Sequence, residues 1–135
     1  MTAPLGHLKV LLVDDEEFVR TIVKRMLHGF GINLIDEARD GQEALLKLEQ
    51  SCPDLLLLDL LMEPMDGLEL LQRIRGHVID SIRKLPVIVL TLNSDAETVK
   101  QVMPLGVQDY LVKPVFPDTL RLKLEQFVGH KGVVS

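Results

Sequence analysis

Residues 53–60 read Pro53-Asp54-Leu55-Leu56-Leu57-Leu58-Asp59-Leu60. Four consecutive leucines between two acids form an unbroken apolar run with no polar alternation. A run this short predicts a strand, about Asp54 to Leu60, buried on both faces. Leucine itself is an indifferent strand former, so the assignment rests on the short length and on the flanking Pro53 and Pro64. A strand covered on both faces needs a layer on each side, and the neighbouring segments supply them.

Towards the N-terminus, Ala44, Leu45 and Leu48 mark the inner face of a helix that ends near Gln50. Asp40-Gly41 is a turn signal before it, and a strand of about Asn33 to Ala38 precedes the turn. Earlier still, Phe18, Val19, Ile22, Val23, Met26 and Leu27 recur at helical spacing from about Glu17 to His28, and Gly29 and Gly31 end that helix. The first strand is Lys9 to Val13. Towards the C-terminus, Asp66-Gly67 opens a helix carrying Leu68, Leu71, Ile74 and Arg75, whose end is blurred by Gly76. A strand of about Pro86 to Thr91 follows, then a helix capped by Ser94 or Asp95 and reaching about Leu105. The fifth strand is Asp109 to Val112, and Pro117-Asp118 start a last helix through Val128.

Repeating strand–helix units joined by short connections imply a parallel sheet with helices on both faces. Five such units predict an α/β, flavodoxin-like, doubly wound five-stranded parallel sheet with five helices. The strand order 2-1-3-4-5 comes with that class and not from the spacing. Residues 8–128 form one domain in this reading, with a tail at 1–7 and a tail or linker stub at 129–135.

Composition sets the outer limits. The chain has 135 residues, 47% of them apolar, which suits one folded domain with a real core. No apolar run approaches the roughly 20 residues of a membrane span, and Met1 to His7 do not read as a secretory signal. A soluble cytoplasmic protein is expected, with no membrane partner. A single cysteine, Cys52, fits a reducing compartment, and His7, His28, His77 and His130 show no metal-ligand spacing. The net charge of −5, without a basic run, argues against direct nucleic-acid binding.

In sheets of this class the site lies at the carboxyl ends of the strands, where the winding reverses. Those ends carry Asp14-Asp15, Asp59, Thr91 and Lys113-Pro114. Singly, each residue has an ordinary explanation: Asp14 or Asp15 as a helix cap, Asp59 as a turn residue, Thr91 as a strand end, Lys113 as a solvated lysine. Their joint placement on one rim is what calls for chemistry. Clustered carboxylates repel, and a hard divalent ion such as Mg²⁺ relieves that conflict through oxygen ligands and water. An ionised aspartate is a possible nucleophile for a phosphoryl group. Cation, ammonium and hydroxyl can then each meet one equatorial oxygen.

The segments Val10-Leu-Leu-Val-Asp-Asp15, Leu57-Leu-Asp-Leu-Leu-Met-Glu-Pro-Met-Asp-Gly67, Pro86-Val-Ile-Val-Leu-Thr91 and Asp109-Tyr-Leu-Val-Lys-Pro114 resemble the receiver domains of response regulators in two-component systems. The resemblance covers about Leu8 to Val128. It implies that Asp59 is the phosphoacceptor, and that Asp14, Asp15, Asp59 and the backbone carbonyl of Leu61 hold Mg²⁺. It implies Thr91 as switch hydroxyl, Tyr110 as switch aromatic, and Lys113 on the phosphoryl group with a cis bond to Pro114. The partners it implies are a sensor histidine kinase or histidine phosphotransfer protein, and a downstream protein or an output domain absent from this sequence. The downstream partner would use the face of the fourth predicted helix, strand five and the fifth predicted helix. Leu61, Leu92 and Asn93 would surround the approach of hydrolytic water, and bulky Leu61 and Leu92 predict slow loss of the phosphoryl group. Three positions depart from the usual pattern: Pro64 stands one place late, Leu92 replaces a small residue, and Val102-Met-Pro-Leu-Gly-Val107 replaces a small, glycine-rich helix end.

Other readings compete. A haloacid-dehalogenase-type hydrolase needs a second aspartate two residues after the nucleophile, where this chain has Leu61. A flavin mononucleotide carrier needs a hydroxyl- and glycine-rich phosphate loop, where Asp14-Asp15-Glu16-Glu17 would repel phosphate. An unphosphorylated pseudo-receiver acting only as an interaction module remains the alternative.

Overall fold

A computed structural model describes residues 5–60, 62, 65–92 and 96–134. The described residues form five strands and six helices. In chain order these are β1 (Lys9–Val13), α1 (Glu17–Gly29), β2 (Leu34–Ala38), α2 (Gly41–Gln50), β3 (Leu55–Asp59), α3 (Gly67–Arg75), α4 (Asp80–Arg83), β4 (Val87–Thr91), α5 (Ala96–Val102), β5 (Asp109–Val112) and α6 (Pro117–Val134). All strands are parallel, in the order β2-β1-β3-β4-β5. This is the expected flavodoxin-like α/β sheet.

The leucine run of β3 shows why both faces are covered. Side chains alternate across a strand, so Leu56 and Leu58 enter one core while Leu55 and Leu57 enter the other. β1 and β4 alternate in the same way: Leu11, Val13, Val87 and Val89 on one side, Val10, Leu12, Ile88 and Leu90 on the other. The first core is closed by Ala44 and Leu48 of α2, Leu70, Leu71 and Ile74 of α3, and Val102 of α5. The second is closed by Val23 and Leu27 of α1 and Leu120, Leu124 and Phe127 of α6.

The structure corrects several expectations. Six helices stand where five were expected. The additional α4 fills the stretch after Gly76, anchored by the buried Ile82 and an Asp80–Arg83 ion pair. Capping of α1 by Asp14 or Asp15, the ordinary alternative and not the expectation, does not occur: the N-cap is Glu16, with no side-chain capping bond. Asp40 and Asp66 do cap helices, each accepting a backbone N–H three residues on, at 2.8 Å. α5 ends at Val102 rather than Leu105, because Pro104 lacks the N–H that a further α-turn requires; a 3₁₀ turn, Met103–Leu105, takes over. α6 continues past Val128 to Val134, since isolated glycines such as Gly129 weaken a helix without breaking it. Leu5, placed in a tail by the sequence, packs into the α1/α6 core, its carbonyl accepting the Leu8 N–H at 3.0 Å. The expected Ser94 or Asp95 cap and the Glu63-Pro64 departure lie outside the described residues.

Candidate functional site

Four strand ends meet on one rim. Asp14 follows β1, Asp59 ends β3, Thr91 ends β4 and Lys113 follows β5. Asp59 pairs in register with Leu90, so Thr91 lies one residue beyond it on the adjacent strand. Asp14 is fully buried, Asp59 and Thr91 are nearly so, and Asp15 is exposed.

Charge explains how such acids stay buried. Lys113 donates from Nζ to Asp14 Oδ2 at 2.9 Å and lies 3.4 Å from Asp59 Oδ2. Its side chain is only 10% exposed. Burial pushes the Lys113 pKa down, but the hydrogen bond to Asp14 and the charges of Asp59 and Asp14 outweigh that, so the net direction is upward. The other Asp14 oxygen, Oδ1, accepts the Glu16 N–H at 2.9 Å. The backbone of Lys113 is held in turn, its N–H donating to the Thr91 carbonyl at 2.7 Å. The Lys113–Pro114 peptide is cis.

Two further supports have no counterpart in the sequence reading. Arg20, one turn into α1, donates from Nη1 to the Asp14 carbonyl at 2.6 Å and from Nε to Glu37 Oε1 at 3.2 Å. A hydrogen bond from Lys24 chiefly holds the Glu37 carboxyl below its usual range, against burial, with Arg20 adding to it. Gly67, the first residue of α3, sits directly on the β3 end. A Cβ there would lie 2.4 Å from the Asp59 carbonyl oxygen and 2.6 Å from Leu60 Cα. Its N–H donates to the Leu60 carbonyl at 2.9 Å. The Asp66-Gly67 pair was legible as a helix start; its contact with Asp59 was not.

The carboxylates can be tested against a cation. One oxygen atom from each of Asp14, Asp15 and Asp59 lies within 4.8 Å of the others. Two direct ligands of one Mg²⁺ can stand at most about 4.2 Å apart, twice its bond length. The three acids are therefore close enough to share a hard cation with small side-chain adjustments or bridging water, and an all-oxygen set suits that ion. Leu61, whose carbonyl was the fourth expected ligand, lies outside the described residues, as does Asn93. Leu92 is 66% exposed and lines a groove with Val19, Ile22, Met26 and Val115, beside Lys113. Tyr110 packs against the α2–α5 side of the core with its hydroxyl buried and, among the described residues, without a hydrogen-bond partner.

Residues 10–125 match the family model of the response regulator receiver domain. The chain belongs to this family. The receiver is 36% identical over 120 residues to the chemotaxis protein CheY-3 of Vibrio cholerae, covering 89% of this chain and 91% of that one. It is 32% identical over 129 residues to the transcriptional regulatory protein ZraR of Escherichia coli O157:H7, covering 96% of this chain but 28% of that protein. Among solved structures it resembles the Vibrio cholerae chemotaxis protein CheY4, with a TM-score of 0.79, 33% identity and coverage of 90% and 98%. The receiver domain of the Francisella response regulator 1452 is similar too, with a TM-score of 0.81, 28% identity and coverage of 93% and 99%. Receiver domains are signalling switches, and the acid cluster of this one could hold a metal. No described helix is long and apolar enough to cross a membrane.

Proposed function

We propose that this receiver takes a phosphoryl group onto the Asp59 carboxylate in a Mg²⁺-dependent reaction and passes the change to a partner. The observation that carries the reading is the meeting of Asp59 with two further carboxylates and the Lys113 ammonium. An Asp59 oxygen forms a bond to phosphorus as the bond from phosphorus to the donor breaks, and the donor leaves with that electron pair. Mg²⁺, held by Asp14, Asp15 and Asp59, would neutralise charge on the transferring group. Lys113 is already within 3.4 Å of Asp59 and contributes a fixed positive charge. Thr91, on the strand next to Asp59, offers its hydroxyl to a third oxygen.

The donor is a sensor histidine kinase or a histidine phosphotransfer protein, and the setting is the cytoplasm. The recipient of the signal is a downstream protein, or an output domain, on the face of α5, β5 and α6. With a net charge of −5, the domain does not itself engage nucleic acid.

Intact-mass measurement after incubation with acetyl phosphate and Mg²⁺ tests this. One phosphoryl group is expected on the wild-type chain and none on Asp59→Asn. Equal labelling of the variant sinks the assignment. A folded wild type that never gains mass supports the interaction-only alternative. Once loaded, the group is expected to leave slowly, because Leu92 is large and apolar where water must approach. Leu92→Ala is expected to speed phosphate release several-fold; an unchanged rate removes Leu92 from that role.

A further inference from the structure

Arg75, the last residue of α3, donates from each of its three guanidinium nitrogens to backbone carbonyls. Nε donates to Leu105 at 2.6 Å and Nη2 to Gly106 at 3.1 Å. Nη1 donates to Arg83 at 3.0 Å and to Leu85 at 2.8 Å. Burial pushes the pKa of this group down, yet a guanidinium keeps its charge, so these are charge-assisted bonds. They tie the turn that ends α5 to the residues that lead into β4.

That turn is itself unusual. Pro104 stops α5, and Gly106 follows at φ 72°, in the left-handed region that glycine adopts without penalty. The Gly106 N–H closes the turn on the Met103 carbonyl at 3.0 Å, and the Gln108 N–H donates to Val87 at 2.7 Å. The carboxyl end of α5 is therefore held from several directions. The body of α5 is held less well on the side facing β5. A cavity of about 240 Å³ lies there, lined by Val99, Val102, Met103, Val107 and Tyr110. Tyr110 adds a buried hydroxyl with no hydrogen-bond partner among the described residues, which is costly to maintain.

We propose that Arg75 is a positioning residue that pins the carboxyl end of α5, so that the helix responds as a one-ended lever, pivoting at the Met103–Leu105 turn over the cavity beside Tyr110. The pivot stands on the resting geometry alone. Only its coupling to Asp59 rests on the function proposed above.

Residue-resolved amide exchange on the full chain separates the two. In the resting protein, Arg75→Gln is expected to accelerate exchange at Gly106 and Gln108 by roughly tenfold or more relative to β3 amides, by freeing the local opening. Unchanged exchange at both positions overturns the pin. After acetyl phosphate and Mg²⁺, with labelling verified by mass, wild-type changes are expected across residues 97–102 but not at Gly106 or Gln108. In Arg75→Gln they are expected to spread to both. Equal change throughout 97–108 in the wild type overturns the lever. If no mass is gained, the phosphoacceptor reading fails while the resting comparison still decides the pin. Should Arg75→Gln not fold, Tyr110→Phe provides the check: removing the orphan hydroxyl is expected to slow exchange across 99–102, and faster exchange there contradicts the lever.

Discussion

Gly67→Ala is expected to cost about 1–3 kcal/mol of stability and to slow phosphorylation of Asp59 by about 100-fold. The added methyl would meet the Asp59 carbonyl oxygen at 2.4 Å and Leu60 Cα at 2.6 Å. Both are backbone atoms, so no rotamer change can make room. Either α3 lifts, losing the Gly67 N–H bond to Leu60 and exposing Leu70 and Leu71, or the β3 end moves and carries Asp59 with it. A shift of about 1 Å in a reacting group is enough for a rate loss of that size. Gly29→Ala is the control, since a methyl there meets nothing within 4 Å. Urea unfolding and the labelling rate by intact mass are the measurements. A Gly67→Ala protein as stable and as quickly labelled as Gly29→Ala would show that the contact does not position the acid.

Lys113→Met is expected to lower stability at neutral pH, without divalent ions, by about 3–5 kcal/mol. The substitution keeps much of the apolar stem but removes the ammonium that lies between Asp14 and Asp59. Two buried carboxylates then face each other without the ammonium, although the Glu16 N–H bond to Asp14 is retained. Because the folded Lys113 pKa is raised, the wild-type contribution is complete below the unfolded lysine value of about 10.4 and is lost only as pH climbs through the higher folded value. The difference between wild type and variant should accordingly be flat from neutral to mildly alkaline pH and shrink beyond it. Millimolar Mg²⁺ should restore more stability to the variant than it adds to the wild type, because a cation then answers carboxylates that have lost theirs. A variant within about 1 kcal/mol of wild type, indifferent to Mg²⁺, would mean that Lys113 is not the counter-charge of these acids.

Much of this was legible from residue order. The Leu55–Leu58 run and its proline flanks marked a strand buried on both faces, and alternation of its side chains between two cores confirms it. Strand ends fell where Asp14, Asp59, Thr91 and Lys113 stand because apolar runs stop at polar residues. Boundaries drifted where punctuation was ambiguous. Gly76 hid a four-residue helix, and the last helix runs on past Val128 because nothing at Gly129 forbids it.

Sequence by itself determined the sheet, its layers, the family, and which chemical groups stand at the strand ends, because burial periodicity and turn residues are written locally along the chain. Tertiary structure alone decided how those groups are held. Lys113 meets Asp14 across 99 positions of sequence, Arg20 reaches the carbonyl of Asp14, Gly67 presses on Asp59, and Arg75 gathers carbonyls as distant as Gly106. Every residue carries a carbonyl, so nothing local marks the one an arginine will find. That choice is set by where the crossovers bring α1 and α3 against the strands.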